Sequence, residues 1–185
     1  MFAIVESGSI TSMPRGNKGF KIGDNQYPAD IFTKWTEAER NAIGVYTVEI
    51  DNTNRKDEEG YINANITYAF SGGKVTGSYG TAIAREIADK TVDGVLEEGL
   101  KTIKKRIVDN ECAQILAPSD WMATKAFEEG GDVESGWKTW RASVRTKCNA
   151  MQTAINNASD VDALAALYVR NSEGVRPLGD FPVKE

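Results

Sequence analysis

Residues 132–158 read DVESGWKTWRASVRTKCNAMQTAINNA. Trp137, Trp140, Val144, Cys148, Met151 and Ile155 follow one another at steps of three or four, the spacing that places them on one face of an α-helix. An apolar stripe of this kind has to be covered, so the stretch predicts a helical C-terminal region in which a second helix packs on the first. The partner expected from the sequence is 81–116. It contains no proline, and Ile83, Ile87, Val92, Leu96, Leu100, Ile103, Ile107, Cys112 and Ile115 recur mostly at helical steps. A single helix over that span would be about 50 Å long, a length that invites a helical hairpin or self-association. Gly94 and Gly99 would each cost roughly 1 kcal/mol against alanine inside it, and they mark a bend or a close crossing.

Pro118 ends this segment. In SDWMATKAFEEG (119–130), Ser119 and Asp120 are good caps for a short helix or loop. SDVDALAALYV (159–169) predicts a third helix, capped by Ser159 with Asp162 three residues on. The end, NSEGVRPLGDFPVKE (171–185), is rich in glycine and proline and predicts an extended tail.

The first 80 residues have a different texture. FAIVESGSI is a short apolar run broken by the turn signal Ser7-Gly8. PRGNKGFKIGDNQYP (14–28) predicts a loop holding at most one short strand. Thr36 with Glu39 forms a capping-box pattern, so 37–43 predicts a short helix ending at Gly44, with Trp35 packed at its start. VYTVEID (45–51) alternates with period two and predicts a strand. NTNRKDEEG (52–60) reads as a polar loop. NITYAF and KVTGSY, joined by Ser71-Gly72-Gly73, predict a hairpin. The expected fold class is therefore α+β. A small β-rich N-terminal domain (1–80) precedes a helical domain (81–170) with a long first helix, followed by a tail (171–185).

Composition narrows the chemistry. The chain has 185 residues, 41% of them hydrophobic and 26% charged, enough for one or two small cores. No run approaches the ~18 apolar residues of a membrane span. MFAIVESGSI meets an acidic residue at Glu6, so no signal peptide and a cytoplasmic origin are expected. Net charge is −5, which disfavours nucleic acid as a partner. The basic run Lys101, Lys104, Lys105, Arg106 reads as the solvated face of a helix. The chain has no histidine, hence neither the commonest general base nor the commonest metal ligand. Cys112 and Cys148 lack CxxC partners and read as buried small apolar groups. SGGKVTG lacks the full phosphate-loop spacing, because Tyr68 and Val75 stand at decisive positions. The neighbouring acids Glu58/Glu59, Glu97/Glu98 and Glu128/Glu129 read as solvated. No catalytic residue, cofactor or metal site is expected, and the chain is not expected to be an enzyme.

Three of the four tryptophans, Trp121, Trp137 and Trp140, lie close together in sequence. They read as a helix-hairpin core, as an aromatic face that anchors a partner, or as both, with one ring inside and another at the rim. APSDWMATKAFEEGGDVESGWKTWRASVRT resembles the C-terminal signature of bacteriophage tail-fibre assembly and tail assembly chaperone-like proteins. The matching residues are Leu116, Ser119, Asp120, Trp121, Glu128, Glu129, Gly130, Val133, Trp137, Trp140, Arg141 and Arg145. AINNASDVDALAALY resembles the helix that follows in that family. YPADIFTKWTEAERNAIGVYTVEID is similar to a module common in phage tail proteins. The two stretches cover 27–51 and 116–168, whereas the hairpin and long segment at 52–115 depart from a short assembly chaperone.

The resemblance implies a viral protein that works by protein–protein binding in the infected host cytoplasm. Its partner would be a tail-fibre or tail/baseplate protein, which it helps to fold and trimerise, sometimes staying attached. The alternative is a permanent component of the virion tail, tail fibre or baseplate, with a homo-oligomer formed through the 81–116 helix. Trp121, Trp137, Trp140, Arg141 and Arg145 are the expected partner-binding residues. Asp120 is expected to cap a helix and Arg141 to pair with an acid. Neither nucleic acid nor membrane is expected as a partner.

Overall fold

The computed structural model describes residues 1–14 and 18–184. The chain is α+β and divides into two compact units, Met1–Ile83 and Ala84–Glu185.

In the first unit, β1 (Phe2–Glu6) and β2 (Ser9–Ser12) form a hairpin. Two further short strands follow, β3 (Phe20–Ile22) and β4 (Asn25–Tyr27). The segment expected to be a loop is thus itself a hairpin; positions 15–17 of it lie outside the described residues. Its apolar residues gain strand geometry by packing rather than by length. Helices α1 (Ile31–Lys34) and α2 (Glu37–Ala42) lead into β5 (Val45–Asp51). The remaining strands are β6 (Tyr61–Ile62), β7 (Ile66–Ser71), β8 (Lys74–Tyr79) and β9 (Ile83–Ala84).

The main sheet has the order β2-β1-β5-β8-β7, antiparallel except for the β5–β8 pair. Its edge strands β2 and β7 approach each other, so the sheet is nearly closed. Alternation along β5 sends Val45 to one face, with Ile4, Ile31 and Phe32, and Val48 to the other, with Ala3 and Val75. The capping box at α2 forms: Glu39 N–H donates to Thr36 Oγ1 at 3.3 Å, and Thr36 N–H donates to Glu39 Oε2 at 2.8 Å. The Thr36 N–H, followed by the Thr36 hydroxyl, donates to the Glu39 carboxylate and holds it below its ordinary pKa. Gly44 has φ +84°, and a Cβ there would meet the Val5 carbonyl oxygen at 2.6 Å, so this position admits only glycine.

The second unit departs from the expected helix over 81–116. Residues 90–97 form a hairpin of β10 (Lys90–Val92) and β11 (Val95–Glu97), and helix α3 runs from Leu100 to Leu116. Two features override the helical period. Asp93 and Gly94 both have positive φ, 51° and 80°, as a two-residue hairpin turn demands. The first turn of α3 is capped from a distance. Leu100 and Lys101 N–H donate to the carbonyls of Glu86 and Ile87, each at 3.0 Å. Asp89 accepts from Gly99 N–H at 2.8 Å and from Thr102 Oγ1 at 2.9 Å. A Cβ on Gly99 would lie 2.3 Å from the Ala88 carbonyl carbon. Gly99 therefore marks a helix start, not a helix interior.

A short 3₁₀ turn (Ala117–Ser119) joins α3 to α4 (Asp120–Glu129), which ends on left-handed Gly130. Then come α5 (Ser135–Asn157) and α6 (Val161–Ala166). The core is the α3–α5 contact: Val108 and Cys112 of α3 meet Val144, Cys148, Met151 and Ile155 of α5. The stripe expected on 132–158 packs from Trp140 onward, while Trp137, its first member, stands outside this cluster. The cap of α6 is Asp160, which accepts from Ala163 N–H at 2.8 Å; Ser159, the expected cap, donates instead to the Asp160 carboxylate. Among the described residues the chain after α6 has no helix or strand, yet Leu178 is buried and Phe181 packs on the helical core. The basic run is engaged as well. Lys101 Nζ donates to the Asn156 carbonyl at 2.8 Å, Lys104 sits over the Tyr168 ring, and Arg106 pairs with Glu98 at 2.6 Å. Among the described residues no helix is long and apolar enough to cross a membrane.

Candidate protein-binding site

The structure places four of the five expected residues around the α4–α5 connection, in three roles. Arg141 is a fastener. It is 7% exposed, and its guanidinium ties the α3 C-terminus and the start of α4 to α5. It donates to the Leu116 carbonyl at 3.0 Å, to Ser119 Oγ, and to Asp120 Oδ1 at 2.6 Å. Ser119 Oγ in turn donates to the Leu116 carbonyl at 2.8 Å. Neither Ser119 nor Asp120 caps α4 through a side-chain bond. Asp120 is the acid paired with Arg141, and that pairing replaces the capping role expected for it. A carboxylate one helical step from Ser119 reaches the planar guanidinium more favourably than its own backbone N–H groups.

Trp140 is a half-buried core residue. It packs on the α3–α5 cluster, and its indole N–H donates to the Pro182 carbonyl at 3.1 Å. That bond satisfies the polar end of an otherwise apolar side chain and pins the C-terminal segment. Trp137, one turn earlier, stands edge-to-face with Trp140 at 5.5 Å between ring centroids and 89° between planes. Its ring also carries the Lys184 ammonium 5.3 Å from the centroid.

Trp137 and Trp121 both line a groove of about 340 Å³ formed by α4, the 130–134 connection and the start of α5. Met122, Ala126 and Val133 complete its apolar lining. Trp121 is 57% exposed, unusual for so large an apolar side chain. Glu129, Asp132 and Glu134 stand on the groove with Lys125. Glu134 also caps α5, accepting from Gly136 N–H at 3.0 Å. Arg145 is exposed on α5 and, among the described residues, makes no ion pair with the cluster. The structure therefore sets Trp137 edge-to-face against Trp140, places Trp121 on the same groove as Trp137, turns Arg141 inward and leaves Arg145 outside.

The contacts from Pro182 and Lys184 carry no local sequence signal, because each joins positions more than forty residues apart. The cysteines are both free and buried in the α3–α5 core. Burial, followed by the neighbouring Cys112 thiol and the Asp109 carboxylate, pushes the Cys148 thiol up to about 12. At neutral pH it is a protonated, apolar-like group rather than a nucleophile. Among the described residues no group of three or more acids, cysteines or histidines gathers where a metal ion could sit. No protein-family model matches the chain, and neither a curated protein nor a solved structure does.

Proposed function

We propose that this protein is a phage tail-fibre or tail assembly protein that acts by binding another protein and has no catalytic role. The observation that carries the reading is the groove between Trp121 and Trp137. It lies within the stretch that resembles the assembly family, and a half-exposed tryptophan beside an apolar groove is the kind of feature that dominates protein–protein binding energy. The partner is a tail-fibre or tail/baseplate protein, met in the infected host cytoplasm during assembly. Trp121 and Trp137 make the contact, Trp140 and Arg141 hold them in place, and Arg145 lies at the periphery.

A second reading, a permanent component of the tail, fibre or baseplate, is favoured by the outward β10–β11 hairpin, whose Val95 and Leu96 are exposed. Self-association belongs to that reading, and α3 itself offers Ile107 as an exposed large apolar side chain. Mass spectrometry of purified particles separates the two. The assembly reading expects the chain in infected-cell lysate bound to a fibre protein and missing from particles, or retained there in fewer copies than the fibre protein. Fixed stoichiometric copies in the tail, fibre or baseplate would establish the second reading. Absence from both would sink the proposal.

A further inference from the structure

We propose that Asp93-Gly94, at the tip of the β10–β11 hairpin, is a site of spontaneous backbone modification, where aspartate converts to isoaspartate and unlocks the hairpin. The inference goes beyond the binding-protein reading and does not rest on it. The first argument is chemical. Asp93-Gly94 is the only Asp-Gly pair in the chain, and there is no Asn-Gly pair. Glycine lacks the Cβ that would crowd its own nitrogen and restrict the backbone around it, so this pair closes a ring more readily than an aspartate before a larger residue. The Gly94 nitrogen attacks the Asp93 side-chain carboxyl carbon and forms a carbon–nitrogen bond. The Gly94 N–H proton leaves with the carboxyl hydroxyl as water, and the product is a cyclic succinimide. Water then adds at the Asp93 main-chain carbonyl carbon and breaks its bond to the Gly94 nitrogen. The chain now runs through the former side chain, and the former main-chain carbonyl is a free carboxylate. One water leaves and one enters, so no other reactant is needed.

The second argument is access. Residues 91–98 are all exposed, and a Cβ built on Gly94 would meet nothing within 4 Å. Among the described residues the Asp93 carboxylate takes part in no hydrogen bond or ion pair. Comparable side chains elsewhere are tied down. Asp89 accepts from Gly99 N–H and Thr102 Oγ1, and Asn171, which precedes Ser172, accepts from Glu173 and Val175 N–H at 3.0 and 2.9 Å.

The third argument is that the hairpin can open. Ring closure needs a rotation about the Asp93 Cα–C bond that a paired turn resists. Here three residues pair with three, a ladder that is marginal by itself, and none of those six is buried. Asp93 is held at φ +51°, where an L-residue is at a disadvantage that opening relieves. The consequence stays local. Isoaspartate lengthens the main chain by a methylene within a two-residue turn whose geometry depends on both φ values, so the pairing of Val92 with Val95 is lost. The bonds from Gly99, Leu100 and Lys101 N–H to Asp89, Glu86 and Ile87 lie at the root and keep the start of α3 in place.

The test ages the full chain at neutral pH beside the same chain unfolded in urea. Electron-transfer fragmentation of the digested protein distinguishes isoaspartate from aspartate. The expected result is conversion at Asp93 ahead of every other aspartate and asparagine, at a folded-state rate within about tenfold of the unfolded one, the protection that a weak local structure provides. In the converted fraction the NMR contacts between Val92 and Val95 vanish, while amide-exchange protection at Gly99 and Leu100 persists. A slowing by more than about tenfold means that the turn shields the site, and it overturns the proposal. Earlier conversion at another aspartate or asparagine overturns it too, as does a converted fraction that keeps the Val92–Val95 contacts.

Discussion

Two hairpins of the same size behave in opposite ways. Both β3–β4 and β10–β11 pair three residues with three across a two-residue turn, and each precedes a helix. In β3–β4 the cross-strand pairs Phe20–Tyr27 and Ile22–Asn25 put three apolar side chains on one face. That face packs on Ile31 and Phe32, with Phe20 centred 5.1 Å from the Phe32 ring. In β10–β11 the pairing places Val92 with Val95 on one face and Leu96 with Thr91 on the other. All six of its strand residues are exposed. The difference teaches that a hairpin this short is held by the distribution of its apolar residues, not by their number. Split between faces, they cover nothing, and the hairpin is held only at its root.

The largest expected effect lies on the packed side. Phe32→Ala should destabilise the first unit by about 3–5 kcal/mol, the usual cost of removing a buried phenylalanine ring, read from urea unfolding. A loss below about 1 kcal/mol would mean that β3–β4 is not anchored there and would erase the contrast.

A buried thiol sharpens the contrast between packed and unpacked groups in the second unit. Cys148 is raised to about 12 by burial first, so the unfolded chain releases its proton at lower pH than the folded one does. The thiol's contribution to stability is therefore full below about 9 and lost as pH rises from there toward 12. Melting temperature against pH should fall over that window, and Cys148→Ala should flatten the fall. An unchanged slope in the variant would assign the fall to other groups.

The root of the exposed hairpin gives a smaller, acid-side effect. Asp89 is held below the ordinary carboxylate range, first by the Gly99 N–H and then by Thr102. Its stabilisation is present above the unfolded value and lost as pH falls through the folded one. Asp89→Asn should lower amide-exchange protection at Gly99 and shrink the acid loss. Full protection at Gly99 in the variant would show that the backbone bonds of Leu100 and Lys101 suffice. The smallest effect belongs to the hairpin's own surface. Leu96→Ser should change stability by no more than about 0.5 kcal/mol, and a larger drop would reveal a covering surface that monomeric unfolding has to break.

Local rules written in adjacent residues were legible in the sequence. The Thr36–Glu39 box, the Gly72-Gly73 turn and the stripe on α5 all stand where the spacing puts them. Failures came where two signals competed. The apolar residues of 83–100 keep a helical step, but Asp93-Gly94 is a hairpin turn, and the turn wins because both residues adopt positive φ. The candidate site was half legible. Trp137 and Trp140 do meet, Trp121 shares a groove with Trp137, and Arg141 does find its acid. That Asp120 would serve as that acid and not as a cap, and that the C-terminal segment would reach the tryptophans, depend on contacts across the fold. Spacing along the chain does not encode them.

The bonds joining Glu86, Ile87 and Asp89 to Gly99, Leu100 and Lys101 close the chain before and after β10–β11 into a clasp. The segment between Asp89 and Gly99 leaves and returns at one fixed point, beside the start of the helix that follows. The turn at Asp93-Gly94 is therefore a natural port for grafted sequence. An epitope or a reporter peptide inserted there would be carried outward on a folded protein, and over generations the same position could accept insertions without disturbing the helices beneath.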